Sequence, residues 1–200
     1  MNIATAFPDG QARCHWCAAT PQYTAYHDTE WGYPVADDVR LFEKLCLESF
    51  QSGLSWRTIL EKRENFRHAF CGFDFHQMAR FDAADTARLL NNPGIVRHRG
   101  KIEAVIHNAR RAVELIEQEG SLAAFIWRFE PPTPPPPQIR AQSPESQALA
   151  QALKQRGWKF LGPTTVYAFM QAMGLVNDHA PGCALRAKAE QARRIFKIPQ

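Results

Sequence analysis

The chain has 200 residues, of which 45% are hydrophobic and 22% are charged, a composition typical of a folded globular protein of one domain. No stretch approaches the roughly 18 consecutive apolar residues of a membrane helix, and the N-terminus lacks the basic and apolar segments of a secretory signal. We therefore expect a cytoplasmic protein with no membrane partner. The net charge of +4 is compatible with binding to a phosphate backbone but does not require it.

Apolar residues recur at helical spacing along nearly the whole chain, which predicts an all-α fold. Asp37 and Asp38 predict the start of a helix that ends near Gly53, and Ser55 predicts the cap of the next helix, over 56–70. No run of residues shows the alternation of a strand. Three further helices are predicted over residues 82–92, 98–120 and 143–157.

Residues 130–140 read EPPTPPPPQIR and form the one low-complexity stretch. Proline fixes φ and removes a hydrogen-bond donor, so we predict a stiff surface loop rather than a helix or a ligand for an adaptor protein. Residues 184–200 form a basic C-terminal tail, and residues 97–101 (RHRGK) are predicted to be a solvated basic turn.

The five cysteines are odd in number, and in a reducing cytosol they indicate metal ligands or buried apolar side chains rather than disulfides. Cys46 and Cys71 lie within apolar helical patterns and are predicted to be core residues. Cys14 and Cys17 form a CxxC pair, and His179 and Cys183 form a second pair near the other end of the chain. Four ligands of this kind are typical of a closed structural zinc site, although unpaired buried thiols and ordinary histidines would give the same spacing.

Polar and aromatic residues crowd into AYHDTEWG, residues 25–32, a density that suits a pocket but also a loop folded over the core. His27 is a candidate ligand, base or satisfied polar residue, and Asp28 and Glu30 are candidate catalytic or capping groups. Glu48 is the one acid between Lys44 and Arg57. Its carboxylate lies either on the exposed helix face, which is the ordinary case, or in a cleft, where it would be a strong functional candidate.

The segment over residues 153–174 has the pattern of two helices joined by a short loop. One helix ends at Gly157, the loop WKFLGP follows, and Thr164 starts the second helix. Gly162 permits close approach of the backbone to a ligand, and the free amides at the new helix start are a ready site for a phosphate.

Taken in order, these motifs resemble those of the 3-methyladenine DNA glycosylase I family, from about residue 13 to residue 183. The matching strings include RCHW, YHDTEWG, LFEKLCLE, GLSW, GIVRHRGKI and KFLGPTTVYAFMQAMGLVNDH. The resemblance implies a helix-hairpin-helix glycosylase-like bundle in which one structural zinc joins residues 11–36 to residues 175–185. Where spacing alone favours Cys17, the resemblance favours His27, and it implies the ligand set Cys14, His27, His179 and Cys183.

The resemblance also implies a pocket for the damaged base and a monofunctional hydrolase that removes 3-methyladenine from alkylated double-stranded DNA. A flipped base is recognised by stacking and hydrogen bonds, and a methylated purine carries a positive charge that an aromatic face can bind. Leu54, beside Gly53 on a turn, is a candidate wedge that fills the gap in the stack. The implied pocket residues are Trp16, Tyr26, Glu48 and Trp56, with Glu48 as the catalytic group.

The joined helices are implied to bind the DNA backbone through Gly162, Thr164, Thr165 and Lys159. Asp178 follows them, but the family is regarded as lacking a catalytic aspartate there, so we expect Asp178 to orient His179 or its loop. Pro163 and the two threonines stand where bifunctional relatives carry a lysine, so we expect no lyase activity. We expect a monomer without an obligate protein partner. Two rival hypotheses are a zinc-stabilised DNA-binding protein without excision and a glycosylase for another damaged base.

Overall fold

The computed structural model describes residues 3–132 and 140–200. Their regular structure consists mainly of α-helices, with short 3-10 turns at His15–Ala19 and Cys71–Phe73. The helices are α1 (Pro21–Thr29), α2 (Asp38–Gln51), α3 (Trp56–Glu61), α4 (Arg63–Ala69), α5 (Phe75–Met78), α6 (Ala83–Leu90), α7 (Arg99–Glu119), α8 (Leu122–Trp127), α9 (Pro144–Gln155), α10 (Pro163–Ala172) and α11 (Arg186–Ile195).

Helix α2 lies at the centre of the hydrophobic core, where it packs against α7, α8 and α10. Every residue from Leu41 to Phe50 is buried, so this helix is covered on all sides rather than on one apolar face. Asp38, in its first turn, accepts hydrogen bonds from the Leu122 and Ala123 amides at 3.1 and 2.8 Å and thereby caps the start of α8. Polar side chains on α2 are thus placed inside the protein.

The predicted caps are confirmed where they depend only on neighbouring residues. Asp37 accepts from the Arg40 amide at 2.8 Å, and Ser55 accepts from the Thr58 amide at 3.1 Å. Ser143 begins α9 in the same way, through the Ser146 amide at 3.1 Å. The helix predicted over 56–70 is divided at residue 62 into α3 and α4, which the continuous helical spacing did not reveal.

The structure is mainly helical, as expected, but it also contains a short hairpin that no alternation in the sequence indicated. Strands β1 (Ala4–Ala6) and β2 (Ala12–Cys14) form an antiparallel hairpin with Ala4 opposite Cys14. Each strand has only three residues, too few to show an alternating pattern in the sequence. The Ala184 amide donates to the Ala12 carbonyl at 2.8 Å, so the hairpin joins the N-terminal residues to the segment before α11.

The prediction for the non-ligand cysteines is half correct. Cys46 is buried in α2 as expected, whereas Cys71 is exposed and has a φ of 52° in the turn after α4.

The basic turn at 97–99 is exposed, but Lys101 is buried at the start of α7. Most of the predicted proline-rich loop, residues 133–139, lies outside the described residues. None of the helices described is long and apolar enough to cross a membrane.

Candidate active site and metal centre

Four buried Cys and His side chains from distant parts of the chain meet at one point. Strand β2 supplies Cys14, α1 supplies His27, and the loop after α10 supplies His179 and Cys183. Their ligand atoms all lie within 4.8 Å of one another, with His27 Nε2 and His179 Nδ1 3.2 Å apart. Two sulfurs and two imidazole nitrogens at this spacing could hold a tetrahedral metal ion.

Hydrogen bonds on the outer side of each imidazole set the orientation of the ring. His27 Nδ1 lies 2.7 Å from the Asp28 carboxylate, which itself accepts from Arg13 Nε at 2.8 Å. His179 Nε2 lies 3.2 Å from the Trp31 carbonyl oxygen. The remaining nitrogens, His27 Nε2 and His179 Nδ1, therefore face the cluster, which is how metal-binding histidines are commonly held.

The protonation of the metal-free cluster is shared between its thiols and imidazoles. The hydrogen bond from Cys14 stabilises the Cys183 thiolate and lowers the pKa of Cys183, while the same contact and burial raise the pKa of Cys14. Burial lowers the pKa of His27, but hydrogen bonds to Cys17, Cys183 and Asp28 outweigh this and raise it to about 10. A divalent cation would displace these protons, since thiolates and neutral imidazoles are the ligating forms.

A second group of buried polar side chains surrounds Glu48 on α2. The Glu48 side chain is only 5% exposed, so the alternative of a carboxylate on the outer helix face is wrong. Lys44 Nζ lies 2.8 Å from Glu48 Oε1 and donates to the Tyr26 hydroxyl at 2.8 Å. The same ammonium lies 3.2 Å from the centre of the Trp56 ring. A carboxylate, a phenol oxygen and an aromatic face thus hold one cation between them.

Burial controls the ionisation of this pocket. It raises the pKa of Tyr26 well above its usual value, and the nearby Glu48 carboxylate acts in the same direction, so Tyr26 stays a neutral phenol. Burial lowers the pKa of Lys44, and the ion pair with Glu48 opposes this decrease. The pocket therefore holds its cation through the ion pair between Lys44 and Glu48.

A narrow cleft opens beside this pocket. Tyr26, Lys44 and Trp56 line it together with two ion pairs. Glu30 pairs with Arg63 at 2.7 and 2.9 Å. Glu43 pairs with Arg67 at 2.9 Å. The rim of the cleft is thus charged, and its inner wall is aromatic.

The turn after α2 carries an exposed apolar side chain. Gly53 has a φ of 81°, and Leu54 follows it with 43% of its surface exposed. Lys101 Nζ from the start of α7 donates to the Phe50 and Ser52 carbonyls at 3.0 and 2.5 Å and so fixes the end of α2 from which the turn departs. An exposed leucine on a firmly held turn can insert between stacked bases.

Helices α9 and α10 pack together and are joined by a short loop over residues 156–162. Asn108 of α7 holds this loop by two hydrogen bonds to the Lys159 backbone, at 2.8 and 2.9 Å. Gly162 caps α10 without a side chain and is exposed, as are Thr164 and the Lys159 side chain, while Thr165 is half-buried. The first amides of α10 are accordingly open to an anion.

Comparisons with known proteins match nearly all of this architecture. The family model described as methyladenine glycosylase matches residues 16–187. The chain belongs to the methyladenine glycosylase family. It is 47% identical to DNA-3-methyladenine glycosylase 1 of Escherichia coli over 177 residues, which cover 86% of this chain and 95% of the relative.

Solved structures agree with this family assignment. A crystal structure of 3-methyladenine DNA glycosylase I is 51% identical, with a TM-score of 0.81 over 86% of this chain and 98% of the other. The corresponding enzyme of Staphylococcus aureus, solved to show the structural basis of 3-methyladenine recognition, is 37% identical, with a TM-score of 0.82 over 87% of this chain and 96% of the other.

In this family member the structure brings together the four metal-ligand candidates, and it groups Tyr26, Glu48 and Trp56. The cluster contains His27 and not Cys17, which is buried beside His27. Trp16 lies further away, because its ring packs against Tyr23 at 4.9 Å and against His27 at 5.2 Å. It is joined to the Glu48 pocket through the tyrosines, since Tyr23 stacks on Tyr26 and Tyr26 contacts Trp56.

Two residues in or beside the Glu48 pocket were not predicted from the sequence. Lys44 contacts Glu48, Tyr26 and Trp56 directly, and its position four residues before Glu48 on one helix was the signal that could have found it. Tyr23 lies three residues before Tyr26, on the same face of α1.

Asp178 is joined to α10 by two hydrogen bonds. Its carboxylate accepts from the Tyr167 hydroxyl at 2.6 Å and from the Gln171 amide at 2.9 Å, both on α10. These bonds tie the loop of His179 to α10, in agreement with the expected role in holding the loop. The Asp28 carboxylate orients the other cluster histidine, His27.

Proposed function

We propose that this protein hydrolytically excises 3-methyladenine from alkylated double-stranded DNA. The observation that carries the proposal is the pocket in which Glu48, Tyr26 and Trp56 surround a cation, here the Lys44 ammonium. Adenine methylated at position 3 carries a positive charge, and normal adenine does not. A buried carboxylate beside an aromatic face therefore distinguishes the damaged base from the normal one by charge. Relatives named for this activity support the assignment.

The reaction needs little proton transfer from the protein. The bond between the purine N9 and the sugar C1′ breaks, and its electron pair neutralises the positive charge of the base, so no strong general acid is required. Water then forms the new bond to C1′ and releases a proton to solvent. Glu48 binds the cationic base and stabilises the positive charge that passes to the sugar, and Trp56 stacks on the base while the Tyr26 hydroxyl positions it.

The base has to leave the duplex before this pocket can act on it. We propose that Leu54, presented by Gly53, fills the gap in the stack, and that Trp16 supports the aromatic wall through Tyr23. The loop between α9 and α10 serves as a helix-hairpin-helix, in which Gly162, Thr164, Thr165 and Lys159 bind the DNA backbone. The exposed, side-chain-free cap of α10 supports this role.

The cluster of Cys14, His27, His179 and Cys183 fits one structural zinc ion. All four side chains are buried, and no open ligand position for substrate is needed in a site of this composition. When bound, zinc would supply cross-linking between the N-terminal and C-terminal segments rather than chemistry on the base. We infer that residues 1–200 act as a single glycosylase domain with this zinc-binding region at 11–36 and 175–185.

We propose that the enzyme has no lyase activity. Such activity needs an uncharged amine to attack C1′ and form a covalent imine. Pro163, Thr164 and Thr165 follow the hairpin glycine and offer no amine. Lys44 lies in the pocket, but its ion pair with Glu48 favours the ammonium form. A protein–DNA adduct trapped with borohydride, and lost in Lys44→Met, would contradict the proposal.

The test is base release from duplexes that carry 3-methyladenine, 7-methylguanine or hypoxanthine. We expect release of 3-methyladenine, and we expect Glu48→Gln to reduce its rate at a temperature where the variant is folded; the variant should also melt at a lower temperature, because Lys44 loses its buried ion-pair partner. Release of another base alone would favour the rival glycosylase, and DNA binding without any release would favour the rival binding protein. Unchanged activity in Glu48→Gln would remove Glu48 from the mechanism.

A further inference from the structure

Lys44 occupies the centre of the pocket that the proposed function assigns to the damaged base. Its side chain is 6% exposed, and its ammonium has three partners: the Glu48 carboxylate and the Tyr26 hydroxyl, both at 2.8 Å, and the Trp56 ring centre at 3.2 Å. These are the groups proposed to bind the methylated base. Burial of an ammonium is unfavourable unless such partners compensate for lost water, so all three contacts are needed where Lys44 lies.

A cationic purine and an ammonium need the same interaction partners in this pocket. Both need a carboxylate for charge, a polar atom at the edge and an aromatic face, and two cations in contact there would repel each other. We propose that Lys44 is a built-in competitor of the damaged base, which fills the cation position in the free protein and has to leave when the base binds. This inference rests on the proposed function of the pocket.

The structure offers a place for the displaced side chain. Lys44 also lines the cleft beside the pocket, where Glu30 and Glu43 lie together with Arg40, Arg63 and Arg67. The lysine stem has four rotatable carbon–carbon bonds, so its ammonium can move several ångströms without movement of α2. In the cleft the ammonium would regain water, beside carboxylates that already pair with Arg63 and Arg67.

Competition of this kind weakens the binding of every base by the same factor. The factor is set by the free energy that favours Lys44 inside the pocket over Lys44 outside it. A methylated base recovers the lost ion pair through its own charge. A normal base recovers nothing, because it leaves Glu48 buried without a cation. Lys44 thus keeps the pocket closed to weakly bound bases without changing the difference in affinity between charged and neutral ones.

The first test compares Lys44→Met, which keeps an unbranched side chain but removes the charge, with Lys154→Met, which makes the same change at an exposed position on α9. The probe is 3,9-dimethyladeninium, a cation like the damaged base but without a sugar to lose. We expect Lys44→Met to bind it about tenfold more tightly than the wild type, equivalent to about 1.4 kcal/mol, and Lys154→Met to bind like the wild type. Equal or weaker binding by Lys44→Met would overturn the proposal.

The second test follows Lys44 in the wild-type protein and does not depend on the folding of a variant. The Trp56 ring current should shift the NMR signal of the Lys44 Cε methylene strongly upfield, because Nζ lies 3.2 Å from the ring centre. Addition of 3,9-dimethyladeninium should abolish this shift. A shift that persists in the saturated complex would show that Lys44 stays in place and would overturn the proposal.

Trp56→Ala separates this proposal from the assignment of the pocket. Suppose that Trp56→Ala abolishes binding of the probe but that Lys44→Met binds it with wild-type affinity. Competition by Lys44 is then refuted, and the assignment of the pocket to the damaged base is supported. If Trp56→Ala and Glu48→Gln bind the probe as well as the wild type does, the base does not enter this pocket and both proposals fail. Loss of the Lys44 shift together with tighter binding in Lys44→Met supports both.

Discussion

Lys101→Met tests how the turn that carries Leu54 is held in place. The Lys101 ammonium donates to the Phe50 and Ser52 carbonyls at 3.0 and 2.5 Å, and the residue is 7% exposed. Methionine keeps the unbranched stem but leaves both carbonyls at the end of α2 without this donor. The variant should therefore lose stability and should also release the turn from its fixed position.

The magnitude follows from the two hydrogen bonds that are removed. Hydrogen bonds to a charged donor contribute roughly 1.5–3 kcal/mol each. Part of this gain is offset in the wild type, because burial disfavours the charged lysine and lowers the pKa of Lys101. We expect a net loss of roughly 2–3 kcal/mol in the free energy of unfolding, which lowers the melting temperature by about 4–12 °C for a protein of this size.

The assay combines thermal unfolding with excision of 3-methyladenine from duplex and from single-stranded DNA, measured at 25 °C where the variant is folded. A wedge is needed only when a base leaves a stack, so the variant should lose more activity on duplex than on single strands. Lys154→Met, exposed on α9, is the matched control and should change neither quantity. An unchanged melting temperature would refute the stabilising role of Lys101. An equal loss on both substrates would refute its role in presenting Leu54.

Three further predictions concern the metal centre, the α10 cap and the N-terminal hairpin. His27→Ala should abolish bound zinc in metal analysis of the purified protein, whereas Cys17→Ser should retain it; the reverse result would assign the site to Cys17. Gly162→Ala should keep the wild-type melting temperature, since an added Cβ meets no atom within 4 Å and φ is −77°, but it should weaken DNA binding by obstructing the phosphate. The Arg13 hydrogen bond lowers the pKa of Asp9 to about 2, so the folded state favours the carboxylate and Asp9 contributes stability above its usual pKa of 3.8. Denaturant titrations should find Asp9→Asn less stable than the wild type at pH 7, with a difference that disappears as the pH falls through about 2; a difference independent of pH would contradict this account.

The parts of the fold that the sequence predicts are those set by neighbouring residues. Ser55 caps α3 and Ser143 caps α9 because a hydroxyl and an amide three residues later are always within reach of each other at a helix start. The strands around Ala4 and Ala12 could not be predicted in this way, because three residues carry no period. Cys71 was predicted to be buried from its apolar neighbours, but a positive φ turns its side chain to solvent.

In the candidate site, too, local sequence patterns predict some features, and others depend on packing between distant segments. The resemblance in motifs supplied Glu48 and the four cluster residues, but nothing local indicates that α2 is covered on all sides. The burial of Glu48 and the place of Lys44 depend on Tyr26 and Trp56, which come from two other helices. Charged residues are usually exposed, so sequence alone places both side chains in water. Only the packing of α1 and α3 over α2 shows that they form an ion pair in a pocket.

The metal centre and the pocket are linked through two consecutive residues of α1. The Tyr26 hydroxyl accepts from Lys44 in the pocket, while His27 Nε2 faces the cysteine and histidine cluster. Consecutive side chains of a helix point about 100° apart, so one turn of α1 places Tyr26 in the pocket and His27 in the cluster. A shift of this turn that moves one of the two side chains also moves the other. Trp16 adds a second link, because its ring lies against both His27 and Tyr23. A cross-link at His27 therefore stabilises the fold directly and the pocket indirectly, by holding α1 at the orientation in which the Tyr26 hydroxyl reaches the Glu48 pocket.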